Sequence, residues 1–219
     1  MIWYIFEDMK IKVLILMALI CSMGLSAQTD SASLYKADSV SCPHTFSIKT
    51  NSLTYGLLVL NVAGEIDLSR RWSLSLPVYY SGWNYFRSTV KFRVLSIQPE
   101  IRYWLPRARG MFFGAHFGLT YFNIATNGRY RYQDTRRREP AWGGGLAIGY
   151  RTYFRDSSRW FVEFTVGAGA YDVRYEKFLN GQDGRLVSSS IHRTYYGPDQ
   201  ISVSFGYSFG RHKVKKHEK

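Results

Sequence analysis

Side-chain polarity alternates with a period of two through most of the chain. From Val94 to Trp104 the odd positions Leu95, Ile97, Pro99, Ile101 and Tyr103 alternate with Ser96, Gln98, Glu100 and Arg102. At the carboxyl end Ile201, Val203, Phe205, Tyr207 and Phe209 alternate with Ser202, Ser204, Gly206 and Ser208. The same pattern runs through 72–80, 113–121, 145–152 and 160–169, and two weaker stretches precede them at roughly 46–58 and 62–69. Successive side chains of a strand point to opposite faces, so this period predicts eight strands, most of them ten residues or longer.

The two faces differ in a telling way. One is wholly apolar; the other is mostly Gly, Ser and Thr with single charges. A soluble sheet buries its apolar face and shows water Lys, Glu and Thr. Small polar residues suit instead the crowded inside of a narrow closed cylinder, and the apolar face suits lipid. Strands of about 9–11 residues are long enough to cross a membrane, and closure is required because a sheet edge cannot survive in hydrocarbon. The expected fold class is therefore all-β: an eight-stranded antiparallel up-and-down transmembrane β-barrel of the OmpA type.

Connections support this reading. Arg70-Arg71, 105–110 and 155–159 are short, whereas 83–92, 123–141 and 176–198 are long. Outer-membrane barrels turn tightly on the periplasmic side and loop widely outside, which puts both chain ends in the periplasm. A short first connection near Asn61 is the exception. Trp72, Tyr103, Phe154, Trp160 and Phe209 sit beside the short turns and the carboxyl end, as an aromatic girdle at one interface would. Pro77 and Pro99 fall inside strands, where a missing N–H calls for a local bulge.

Lys10 and Lys12 precede an apolar stretch from Val13 to Ile20, and Ser26-Ala27 precede a polar run. This is a secretory signal, expected to be cleaved after Ala27. The acidic pair Glu7-Asp8 fits such a start badly, so Met9 is the expected initiator. Residues 28–45 then form a short periplasmic segment, 46–209 the barrel and 210–219 a basic periplasmic tail. Ile20 before Cys21 argues against lipidation. With Cys21 removed, Cys42 has no intrachain partner, and two cysteines in 219 residues exclude a disulfide scaffold. No apolar run reaches the about 20 residues of a helical span.

The segments KTN at 49–51, RRWS at 70–73, EIRYW at 100–104, WGGGLAIGYR at 142–151 and YYGP at 195–198 resemble one family in sequence order. It is domain-of-unknown-function family 3575, predicted outer-membrane barrels of Gram-negative anaerobes. The resemblance covers roughly 46–209, with departures at Pro99 and Ser204. It implies an outer-membrane address, assembly by the barrel assembly machinery and genes near fimbria clusters, so that a surface or fimbrial protein is one expected partner. It implies no activity.

Candidate chemistry is sparse. Lys49, Glu65, Asp67, Glu100, Arg102, Arg151 and Glu163 all fall on the polar face by parity. Buried charges must pair, so these are expected to form a network plugging the lumen rather than an ion path. A lipid-modifying barrel enzyme is the rival class. His116 faces the lumen by parity, and His192 with one of Ser188–Ser190 and Asp183 could be drawn as a triad. Nothing in the sequence fixes that geometry, and no GxSxG occurs. His and Cys show no metal spacing, and no cofactor is expected. A secreted soluble ligand-carrying barrel is a third class, for which the apolar face is wrong.

Net charge is +13, and much of the excess sits in the tail and in the loop 129–138. Arg129, Arg131, Arg136, Arg137 and Arg138, interleaved with tyrosines, are the expected contacts to phosphates of lipopolysaccharide. Secretion argues against nucleic acid. The sequence thus predicts a structural or surface-interaction protein of the outer membrane.

Overall fold

The computed structural model describes residues 45–84, 89–126, 128–135, 139–154, 159–181 and 184–209. The signal segment, the 28–44 stretch, the tail, Arg136, Arg137, Arg138 and Asp183 lie outside them. The described chain is all-β: β1 (Phe46–Asn51), β2 (Leu60–Asp67), β3 (Trp72–Ser81), β4 (Val90–Ile97), β5 (Glu100–Trp104), β6 (Met111–Thr126), β7 (Tyr130–Asp134), β8 (Ala141–Tyr153), β9 (Trp160–Leu179) and β10 (Leu186–Ser208). One helical turn, α1 (Ser52–Tyr55), follows β1, with the Asn51 side chain accepting from the Leu53 N–H as its cap. No described helix is long and apolar enough to cross a membrane.

The antiparallel sheet closes into a ring. β1 pairs with β2 on one side and with β10 on the other, and β10 pairs in turn with β9. Ten strands, rather than the expected eight, arise because two positions around the ring are divided. β4 and β5 both lie between β3 and β6, while β7 and β8 both lie between β6 and β9.

The first division is the work of two prolines. Val78 opposes Ile97 and Ser75 opposes Glu100, so the register is unbroken and sets Pro77 opposite Gln98 and Leu76 opposite Pro99. The bulges expected at these prolines are absent. Gln98 N–H bonds Pro77 O and Phe117 N–H bonds Pro99 O, each at 3.0 Å. A residue's own N–H and C=O point to the same neighbour, so each proline lacks only the reciprocal bond of its pair. Two adjacent missing bonds interrupt the ladder without shifting it.

A bulge does occur on β10. Pro198 opposes Ala168 and Gln200 opposes Gly167, leaving Asp199 as the extra residue. The long connections are also more ordered than their sequences suggest. β9 and β10 continue as a paired ribbon through most of 176–198, and β7 occupies part of 123–141. The first connection is not short: it spans 52–59 and includes α1, whereas Asn61 belongs to β2. Phe46 and Phe209, near the two ends of the described chain, lie together, with Phe209 N–H bonding Phe46 O at 2.8 Å.

Alternation sorts the side chains as the sequence requires. Leu74, Leu76, Ile101, Phe113, Phe117, Leu146 and Phe205 are exposed on the outside, Leu146 by 71%. Ser73, Ser75, Glu65, Arg102, Glu163 and Ser204 are buried inside. The packed core of this molecule is polar.

Candidate functional site

Six charged side chains meet in the ring interior. Lys49 comes from β1, Glu65 from β2, Glu100 and Arg102 from β5, Arg151 from β8 and Glu163 from β9. All six are buried, and three cations balance three carboxylates. Glu65 accepts from Lys49 Nζ and Arg102 Nη1, each at 2.9 Å, and from Arg151 Nη2 at 2.6 Å. Glu163 accepts from the same three, at 2.6 Å from Lys49, 2.9 Å from Arg102 and 2.5 Å from Arg151. Arg102 Nη2 reaches Glu100 at 3.0 Å, and Gln200 Nε2 donates to the same carboxylate at 3.1 Å. Asp67, assigned to this network by parity, is half-buried two residues closer to the end of the ring.

Neighbouring positions shape the space around the charges. A Cβ at Gly114 would strike the Glu100 carboxylate, so only glycine admits it there. On the side of Phe46 and Phe209 the guanidinium groups rest on aromatic faces. Arg102 lies 4.3 Å from the Phe112 ring centre, and Arg151 lies 4.2 Å from that of Phe161 and 4.7 Å from that of Trp104. Phe112 and Phe161 are both 0% exposed, closing the interior at that end. Cations held between carboxylates and ring faces gain from both, which suits a dry interior.

A second polar layer lies above the first. His116 Nε2 and Asp199 Oδ2 are 2.6 Å apart, and Gln98 donates to the Tyr171 hydroxyl at 3.3 Å. Gly145 and Gly169 leave the room that His116 and Asp199 fill. The β10 bulge aims Asp199 inward, as bulges re-aim side chains elsewhere. Its signal was legible as Gly-Pro-Asp at 197–199, but that segment reads as loop when taken alone. Beside Lys49, Arg102, Glu163 and Gln200 a cavity of only about 10 Å³ remains, on the scale of one water. The interior is filled by its own side chains.

The upper end holds a shallow cavity of about 430 Å³ lined by Thr135, Glu139, Arg174, Glu176, Ser189, Ser190 and His192. His192 pairs there with Asp172, which Arg174 also approaches at 3.5 Å. The acid beside His192 is Asp172; Asp183, drawn with it from the sequence, lies outside the described residues. Neither Ser189 nor Ser190 hydrogen-bonds the histidine. Among the described residues no group of His, Cys, Asp and Glu could hold a metal ion.

The remaining residues fall at the two ends. Trp72 meets Tyr103 at a tilt with ring centres 5.0 Å apart, Trp160 meets Tyr207 edge-on at 5.0 Å and Phe209 stacks on Phe46 at 5.7 Å, with Phe154 bonded to Trp160 through the backbone. These form an outward aromatic band at the end that holds Phe46 and Phe209, the terminal end of the described chain. At the other end Arg131 lies 4.6 Å over the Phe178 ring, Arg129 lies 6.0 Å from that of Tyr130, and Lys177 lies 3.7 Å from the same ring. Burial, then the neighbouring phenols of Tyr175 and Tyr130, raise the Tyr132 hydroxyl above its ordinary value.

Neither a curated protein nor a solved structure matches the chain. The family model described as Protein of unknown function (DUF3575) matches residues 13–209, which contain every strand and every buried charge described above. The chain belongs to the DUF3575 family.

Proposed function

We propose that the protein is an eight-stranded up-and-down β-barrel of the bacterial outer membrane, structural or surface-interacting in role, with a plugged polar lumen and both termini in the periplasm. The observation that carries this reading is the inversion of polarity across a closed ring. Large apolar side chains stand exposed around the outside while six charges are buried within. In water so large an apolar surface would be an aggregation hazard; in lipid it is the solvated face. Counting β4 with β5 and β7 with β8 as one position each gives the even number that such barrels use. The aromatic band at the terminal end matches an interfacial girdle.

The loops at the opposite end present Arg and Tyr to lipopolysaccharide or to a surface partner, for which a fimbrial protein is a candidate. A soluble ligand carrier is disfavoured by the filled interior as well as by the apolar outside. Cell fractionation followed by electrophoresis with and without boiling tests the proposal. A membrane-bound protein whose unheated band migrates differently from the boiled one supports the barrel; a soluble protein with no shift overturns it.

One observation favours a second reading, a lipid-modifying enzyme: His192, held by Asp172, lines the upper cavity beside Ser189 and Ser190. The missing serine–histidine bond places it second.

A further inference from the structure

We infer that β10, between His192 and Tyr196, is a docking edge that takes up an acidic extended segment of another surface molecule as an added strand. The inference deepens the surface-interaction reading above and rests on it.

The edge follows from the register. β1 is the ring neighbour of β10, but it ends at Asn51, opposite Ser204. Just above, side chains replace it: Asn51 Oδ1 accepts from the Val203 N–H at 3.1 Å, and Ser52 Oγ donates to Val203 O at 2.8 Å. Odd residues of β10 thus face the β1 side at this level, and even ones face β9. The extra residue Asp199 reverses that order. Above it the even residues Tyr196, Thr194 and His192 turn their N–H and C=O groups away from β9. Among the described residues no strand pairs with them on that side. Natural edges are blunted by proline, bulges and charge. Here Pro198 and the register shift between Ser188 and Ile191 bound the stretch, and the ladder to β9 runs unbroken from Ile191 to Pro198.

Height makes the edge reachable. Tyr196 lies opposite Ala170, ten residue steps up β9 from Trp160 in the aromatic band. At about 3.3 Å per residue and a tilt of about 40° that is about 25 Å, the thickness of an outer-membrane apolar band. Thr194 and His192 therefore stand in water above the lipid, where an unpaired edge is tolerated. Both are exposed, and Tyr196 is 77% exposed.

A second copy of the chain does not fit this edge. Two copies in one membrane are related by rotation about its normal, so strands tilted by about 40° would cross at about 80°, against about 20–25° between paired strands. On facing membranes, pairing centred on Thr194 would carry each hairpin end, at Leu186, about 20 Å further and into the other bilayer. That leaves an extended segment of a different molecule, held by main-chain bonds and selected by side chains.

Charge names its chemistry. The open stretch presents Ile191, Arg193, Tyr195 and Gly197 on one face and His192, Thr194 and Tyr196 on the other. Arg193 is exposed and forms no ion pair among the described residues, whereas Asp172, on the other face, is taken by His192 and Arg174. Arg185, just before β10, adds a second exposed cation. A carboxylate on the added strand opposite Arg193 makes the favourable cross-strand pair, so the segment is acidic.

The test uses the full-length mature protein folded in detergent, with amide hydrogen exchange read residue by residue. The probe is a capped peptide of about seven residues alternating glutamate and valine. Its controls are the lysine–valine counterpart and the same glutamate–valine peptide with every amide N-methylated. Without peptide, the amides of His192, Thr194 and Tyr196 should exchange fast while those of Arg193 and Tyr195, bonded to β9, exchange slowly. The glutamate–valine peptide should slow the three fast amides by about tenfold or more, and neither control should. Thr194→Pro removes an edge-facing N–H and leaves the ladder to β9 intact, so peptide binding should fall by about tenfold. Arg193→Glu should reverse the preference between the glutamate and lysine peptides. Slow exchange at all three edge amides without peptide, protection by the N-methylated peptide, or an unchanged preference in Arg193→Glu would overturn the assignment. A heat-dependent gel shift for each variant is read alongside: its presence with no peptide protection sinks this inference alone, and its absence from the parent protein sinks the barrel reading beneath it.

Discussion

Lys49 on β1 and Glu163 on β9 are 114 positions apart in sequence and 2.6 Å apart in space. β10 lies between their strands in the ring, so this bond crosses the interior rather than following the wall. The same lysine reaches Glu65 on β2, its neighbour on the opposite side. Side chains from five separate strands converge at this level, and each charge is tolerable only because the others are present.

Removing one member should therefore cost more than any exposed pair would. Glu163→Gln leaves Lys49, Arg102 and Arg151 sharing two carboxylates, and the expected loss is about 3–5 kcal/mol of stability. Urea unfolding in lipid vesicles measures it. Lys49→Met combined with Glu163→Gln should cost less than the two single changes added together, because the double variant restores neutrality. An unaltered unfolding midpoint for Glu163→Gln would show that the network does not hold the ring together.

Space is as closely fixed as charge. A valine at position 114 must displace the Glu100 carboxylate from Arg102 and Gln200. Gly114→Val is expected to destabilise the fold by about 1–3 kcal/mol or more, as overpacking does. The same substitution at Gly181, around which nothing lies within 4 Å, should be nearly silent by comparison. Parallel unfolding curves decide it.

Trp72 and Trp160 are exposed on the outside at the terminal end. If that band lies at a lipid interface, their fluorescence in vesicles should shift to the blue and be quenched best by lipids brominated near the headgroup. Single-tryptophan variants separate the two. Quenching by aqueous acrylamide instead, as strong as in the unfolded chain, would remove the band from the membrane.

His192 sits in the upper cavity without a bonded serine, so its pairing with Asp172 is read as structural. His192→Ala should leave lipid A composition unchanged when the protein is expressed at its normal level. A changed acylation or phosphorylation pattern, read by mass spectrometry of extracted lipid, would promote the enzymatic reading over the structural one.

The sequence by itself determined which side chains face inward and which outward. That information is local: a strand's stereochemistry sends successive side chains to opposite faces, so parity alone picked Lys49, Glu65, Asp67, Glu100, Arg102, Arg151 and Glu163 for the interior, and all but the half-buried Asp67 are buried there. The aromatic residues beside the short turns were legible for the same reason, and the family was legible from short motifs in order. Tertiary structure decided what parity cannot reach. Closure of the ring, the ion pairs that cross it and the His116–Asp199 pair depend on register between strands far apart in sequence. Pro77 and Pro99 show the limit from the other direction. Each looked like a reason for a bulge, yet with both neighbours supplying the remaining bonds the register holds, while the actual bulge at Asp199 lies where a Gly-Pro pair reads as loop. Hydrogen bonding between strands is a property of pairs, and a single chain read in order contains the members but not the pairing.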